Sequence, residues 1–153
     1  MKAINIDGTI KTYSNLKSYG GALGLQYASD SDLEALGFYD VVTPSTKQSQ
    51  ELGAIEWDAD NSVFTYPVQN KTYSQTVVEL KTQKIANLKH NYGIKLGTTD
   101  WYVVRAAEGG TAVPSDIATE RSDLRTECAT KEAEINALST KASIVDYQLP
   151  SFR

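Results

Sequence analysis

Histidine and cysteine are almost missing from this sequence: His90 and Cys128 are each the only residue of their kind. A lone cysteine excludes an intramolecular disulfide and a cysteine-based zinc site. A single histidine removes the usual parts of Ser-His catalysis and of most metal sites. No apolar run of about 18 residues occurs, so no membrane-spanning helix is expected. The opening "MKAINIDGTIKTYS" carries no apolar leader core, so no secretory signal is expected either. On that basis the sequon Asn70-Lys71-Thr72 reads as chance.

A basic excess is also lacking. Asp and Glu number 19 against 15 Lys and Arg, and the formal net charge is −4. The lysines form no run, so nucleic-acid binding is not expected. P-loop, dinucleotide and nucleophile-elbow motifs are absent. Glu34, Asp40, Glu51, Glu56, Asp58 and Asp60 are plentiful carboxylates without a motif. No catalytic residue, metal or cofactor is assigned, and the chain reads as a non-enzyme.

What is present is tyrosine, 9 residues against 3 Phe and 2 Trp. Tyrosine packs while keeping a polar end wet, which suits structural and recognition proteins. The first half reads as short strands and turns. Asp7-Gly8 separates two β-prone runs and predicts a type I′ hairpin. "LKSYGGALGLQYA" predicts a loop, and its glycines do not follow the phosphate-cradle order. "SDSDLEALG" predicts a short helix capped by Ser29 or Ser31 and stopped at Gly37. A strand is expected over 38–43, then a hairpin of 53–57 and 62–68 around Asp58-Ala59-Asp60-Asn61. That acidic turn lacks the further ligands of a calcium loop.

The second half changes character near Ser74. Ile85, Leu88, Tyr92 and Leu96 follow helical spacing, with Gly97 closing the helix. "DWYVVR" reads as β-prone or irregular, and "AAEGGTAV" as a loop. A longer helix is expected from Ser115 as N-cap, with a seam of Ile117, Arg121, Leu124, Cys128, Lys131, Ile135, Leu138 and Ala142. "SIVDYQLPSFR" reads as an extended terminal strand. The expected fold is α+β: a β-hairpin-rich domain over 1–72, then a helix-loop-helix hairpin and terminal strand over 73–153.

Asp100, Trp101, Arg121 and Arg125 form a candidate structural cluster. Arg121 and Arg125 lie one turn apart, and a guanidinium can bond both a carboxylate and the carbonyls of a loop. Such a cluster would pin the interhelix loop. His90 is expected on a solvated face and Cys128 as a small apolar residue in the helix interface. Val145, Tyr147, Leu149, Pro150 and Phe152 are the candidate partner-binding residues, because an extended terminal strand can add to a partner's sheet edge.

"KIANLKHNYGIKLGTTDWYVVRAAEGGTAVPSDIATERSDLR" resembles the C-terminal module of tailed-phage tail assembly chaperones, also described as tail fibre assembly proteins. Thr99-Asp100-Trp101 matches the central triplet of that module, and Arg121 with Leu124-Arg125 matches its later motif. Glu120 stands where the family carries an aromatic. The likeness runs from Lys84 to about Leu138. It implies a tail accessory protein without catalytic residues, located in the virion tail and, during assembly, in the host cytoplasm. The implied partner is a tail fibre or baseplate protein, with a homo-oligomer in the virion as a further option. The alternative is a receptor- or glycan-binding protein at a fibre tip, for which an exposed Trp57 would speak.

Overall fold

The computed structural model describes residues 1–152. It is α+β as expected, with a strand-rich first part that includes one short helix and a helical second part. The chain divides into two compact units between Lys71 and Thr72.

In the first unit, β1 (Lys2–Ile6) and β2 (Thr9–Tyr13) form an antiparallel hairpin across Asp7-Gly8. Asp7 and Gly8 have φ of 51° and 82°, the pair of positive values that a type I′ turn requires. Within 16–28 the expected loop holds a two-residue hairpin, β3 (Ser18–Tyr19) and β4 (Ala22–Leu23), and a 3-10 turn. Helix α1 (Asp30–Ala35) starts at Ser29, whose hydroxyl accepts from the Asp32 amide. Strand β5 (Tyr39–Val42) follows, and then β6 (Gln50–Leu52), β7 (Glu56–Asp58), β8 (Val63–Thr65) and β9 (Val68–Asn70). The main sheet has the order β2-β1-β5-β8-β7, with β5 and β8 parallel; β6 and β9 pair separately. Asp58 closes the β7–β8 turn by accepting from the amides of Asp60 and Asn61 and from the Asn61 side chain. Those bonds, the Asn61 side chain first, hold its carboxyl below the ordinary range.

Strand alternation sorts this sheet into two faces. Ile4, Ile6 and Tyr13 share one face and pack with Leu16, Leu25, Leu33 and Phe38. Tyr19 and Phe38 meet edge to face at 5.0 Å. The other face is fixed by register: Ala3 opposes Tyr39, Val41 opposes Phe64, and Phe64 opposes Trp57.

In the second unit, α2 (Val77–Gly97) opens with a reciprocal capping box. The Thr76 hydroxyl accepts from the Glu79 amide, and the Glu79 carboxylate accepts from the Thr76 amide. Four helices follow one another here: α2, α3 (Asp100–Ala107), α4 (Ser115–Ala137) and α5 (Lys141–Asp146). Leu88, Tyr92 and Ile135 form the buried centre, flanked by Ile85, Leu124 and Cys128.

Three expectations are corrected. First, "DWYVVR" is helical. Thr98 and Thr99 break α2 by donating their hydroxyls to the Lys95 and Leu96 carbonyls, and the chain re-enters a helix at once. Second, α4 begins with Pro114 as the extended N-cap, so Ser115 is its first helical residue, and α4 ends before Leu138 and Ala142. Third, the terminal segment is not a strand. Thr140 accepts from the Ser143 amide and starts α5.

Residues after α5 run along the helices without strand pairing. Lys84 donates to the carbonyls of Val145 and Tyr147 at 3.0 and 3.1 Å, and Asn91 donates to that of Pro150 at 2.8 Å. Tyr147, Leu149 and Phe152 pack on the Leu88–Tyr92–Ile135 centre, and Phe152 meets the Tyr92 ring at 4.9 Å. The tail's own backbone and side chains are therefore engaged within the unit. Addition of this segment to a partner's sheet edge has no strand to start from.

Candidate functional site

The turn between α2 and α3 is held from α4 by one buried guanidinium. Arg121 donates to the Leu96 carbonyl at 2.7 Å, to the Thr99 hydroxyl at 2.6 Å and to Asp100 Oδ1 at 2.8 Å. Its side chain is 9% exposed, whereas that of Asp100 is 60% exposed. The ion pair is thus half in water, and its Coulomb part is small. The bonds to the two partners at the helix break matter more, because a buried guanidinium without them would be strongly destabilising.

Arg125 and Trp101 stand apart from this cluster. Arg125 donates to the Arg121 carbonyl one turn back, at 3.3 Å, and makes no ion pair with Asp100. Trp101 points outward and is 53% exposed. Its ring lies 3.8 Å from that of Tyr102 at an interplanar angle of 30°. The Arg105 guanidinium sits over both rings, 4.8 Å from Trp101 and 5.4 Å from Tyr102. Two arginines of the same stretch thus have opposite surroundings. Arg121 closes a loop inside the unit, and Arg105 lies over rings on α3.

No residue of α3 is buried. Val103 and Val104 are 41% and 53% exposed, and Ile94 near the end of α2 is exposed as well. Tyr102, Arg105 and Ala106 are half-buried on one side of this helix, while Trp101, Val103 and Val104 leave an uncovered apolar surface on the other. Soluble proteins keep such patches chiefly where something binds. The sequence marked this segment as irregular and placed Trp101 in the scaffold; the signal available was the Trp101–Arg105 spacing of four.

The remaining candidates are resolved by position. His90 is exposed. Cys128 is half-buried in the helix interface, where burial pushes its thiol up, away from reactivity. A groove of about 590 Å³ along α4 is lined by Asp116, Glu120, Asp123 and Glu127, with Ser115, Thr119 and Leu124. Among the described residues, no group of three or more His, Cys, Asp or Glu side chains is placed to hold a metal ion. No helix is long and apolar enough to cross a membrane among the same residues.

Trp57 belongs to a separate feature in the first unit. It is 40% exposed and meets Tyr39 at 4.6 Å and Phe64 at 5.0 Å. These three rings, with Asn5 and Gly37, line a pocket of about 340 Å³. Compared with known proteins, the chain matches no family model, no curated protein and no solved structure.

Proposed function

We propose that this chain is a non-enzymatic accessory protein of a phage tail, a chaperone or adaptor that docks a tail fibre or baseplate protein through α3. The observation that carries the reading is the exposure of Trp101, Val103 and Val104 on a helix without a buried residue. The phage assignment itself rests on the likeness of Thr99-Asp100-Trp101 and of Arg121, Leu124 and Arg125 to the tail-chaperone module. Arg121 fixes the turn at which α3 starts, so the apolar helix is presented in one orientation. A pre-formed surface loses less freedom on binding than a flexible one.

Quantitative mass spectrometry of purified virions, and of fibre protein isolated from infected cells, tests this reading. A fixed copy number in particles identifies an adaptor; presence with fibre protein but not in particles identifies a chaperone. Trp101→Ala combined with Val104→Ala is expected to abolish either association while the protein still folds. Absence from both fractions would refute the tail assignment.

A second reading, glycan recognition at a fibre tip, is supported by one specific observation. Trp57 is part-exposed at a pocket instead of being packed away.

A further inference from the structure

We infer that the pocket of Tyr39, Trp57 and Phe64 is a binding site for a neutral pyranoside, one sugar or a short oligosaccharide. The inference deepens the glycan-recognition reading and is independent of docking through α3.

The site follows from strand register. Trp57 pairs with Phe64 across β7 and β8, and Phe64 pairs with Val41 across β8 and β5. Tyr39 is two residues from Val41, so all three rings project from one face. On β1, Asn5 is two residues from Ala3, the partner of Tyr39, and joins the same face. Side chains of the large core cluster project from the opposite face. The pocket therefore takes its walls from residues that this cluster does not use.

Its chemistry selects the ligand. Phe64 is buried and forms the base, while Trp57 presents part of its ring to solvent. Trp57 meets its neighbours at interplanar angles of 64° and 65°, so the rings make an angled wall. A pyranose carries an apolar C–H face that packs on an aromatic ring and a rim of hydroxyls that needs hydrogen-bond partners. Exposed Asn5 supplies an amide, both donor and acceptor, at that rim. Among the described residues no Lys, Arg, Asp or Glu lines the pocket, and the chain is net acidic. An anionic sugar would find no counter-charge there, so the ligand is a neutral one. At about 340 Å³ the space lies near the lower end of ligand pockets, which run from roughly 300 to 1,000 Å³.

The test is saturation-transfer NMR on the full chain with glucose, galactose, N-acetylglucosamine and cellobiose, each at millimolar concentration. Uronic acids and a proline-rich peptide serve as the comparison ligands. Binding of at least one neutral sugar is expected, with Kd on the order of 1 mM. Trp57→Ala should abolish it, and Asn5→Ala should weaken it several-fold; Trp101→Ala should leave it unchanged. Asn5 is exposed, so that variant keeps the test valid if Trp57→Ala does not fold. Sugar binding that survives replacement of Asn5 and Trp57 would keep glycan recognition and overturn this site. No sugar signal at all would overturn both. Preference for the uronic acids or the peptide would overturn the ligand class.

Discussion

Two apolar stretches of the helical unit exchange the roles that their sequences suggest. The terminal "SIVDYQLPSF" reads as an extended strand open to a partner's sheet edge, yet Tyr147, Leu149 and Phe152 pack on Leu88, Tyr92 and Ile135. "DWYVVRAA" reads as part of an internal scaffold, yet it forms a helix without a buried residue. Apolar content is similar in both. What separates them is the polar chemistry on their neighbours. Lys84 and Asn91 on α2 reach the carbonyls of the tail and fix its course. The Arg121 guanidinium from α4 bonds Leu96 and Thr99 ahead of α3 and, on α3 itself, Asp100 in the first turn. Backbone partners decide which apolar segment is held and which is left exposed.

Deleting the chain after Asp146 is the harshest way to break this comparison. It uncovers the face of Leu88 and Tyr92 and removes three part-buried apolar side chains. A loss of about 3–5 kcal/mol is expected in denaturant unfolding of the helical unit. A tail that only awaits a partner would be removed at little cost.

The two arginines offer a narrower test. Arg121→Ala removes the buried guanidinium with its bonds to the Leu96 carbonyl, the Thr99 hydroxyl and Asp100, and should cost about 2–3 kcal/mol. Arg105→Ala removes a cation–π contact made by a half-buried side chain and should cost about 1 kcal/mol. Equal losses in urea unfolding would contradict the distinction drawn between them.

Alkaline titration sharpens the account of the tail. Burial, with a hydrogen bond to the Glu134 carboxylate, pushes the Tyr147 phenol up to about 12. The folded chain then holds this proton more tightly than the unfolded chain, whose phenol titrates near ~10. The resulting stability is fully present below about pH 10 and is lost as pH rises toward 12. Unfolding midpoints measured across that window should fall less steeply for Tyr147→Phe than for the parent. Identical slopes would mean that the bond to Glu134 is not maintained in solution.

The smallest effect concerns Tyr92. Its buried hydroxyl lies beside the Glu127 carboxylate, and burial, with that carboxylate, raises its phenol well above the ordinary value. Tyr92→Phe keeps the ring contact with Phe152 and should change stability by less than about 1 kcal/mol.

Much of the first unit was legible because its turns announce themselves. Asp7-Gly8, the Asp58 turn and Ser29 before α1 each satisfy local backbone needs with local side chains. Helix α2 is legible from spacing, and its start is also written in the sequence as the Thr76–Glu79 capping box. Helices α3 and α5 were not, since short runs rich in Val and Ile fit strand and helix alike. For α5 the deciding residue was Thr140, which caps it from outside the apolar run. Spacing alone also could not say that Arg121, and not Arg125, would face Asp100, because that depends on where the α2–α3 break falls against α4. The aromatic pocket was legible only as separate residues; strand register brings Tyr39, Trp57 and Phe64 together.

Parallel thermal melts of two double variants test the central claim most directly. One carries Trp101→Ala and Val104→Ala, the other Leu149→Ala and Phe152→Ala. The α3 variant is expected to melt within about 3 °C of the parent, and the tail variant lower by more than ~10 °C. The reverse order would show that α3 is a packed element and the tail a free one.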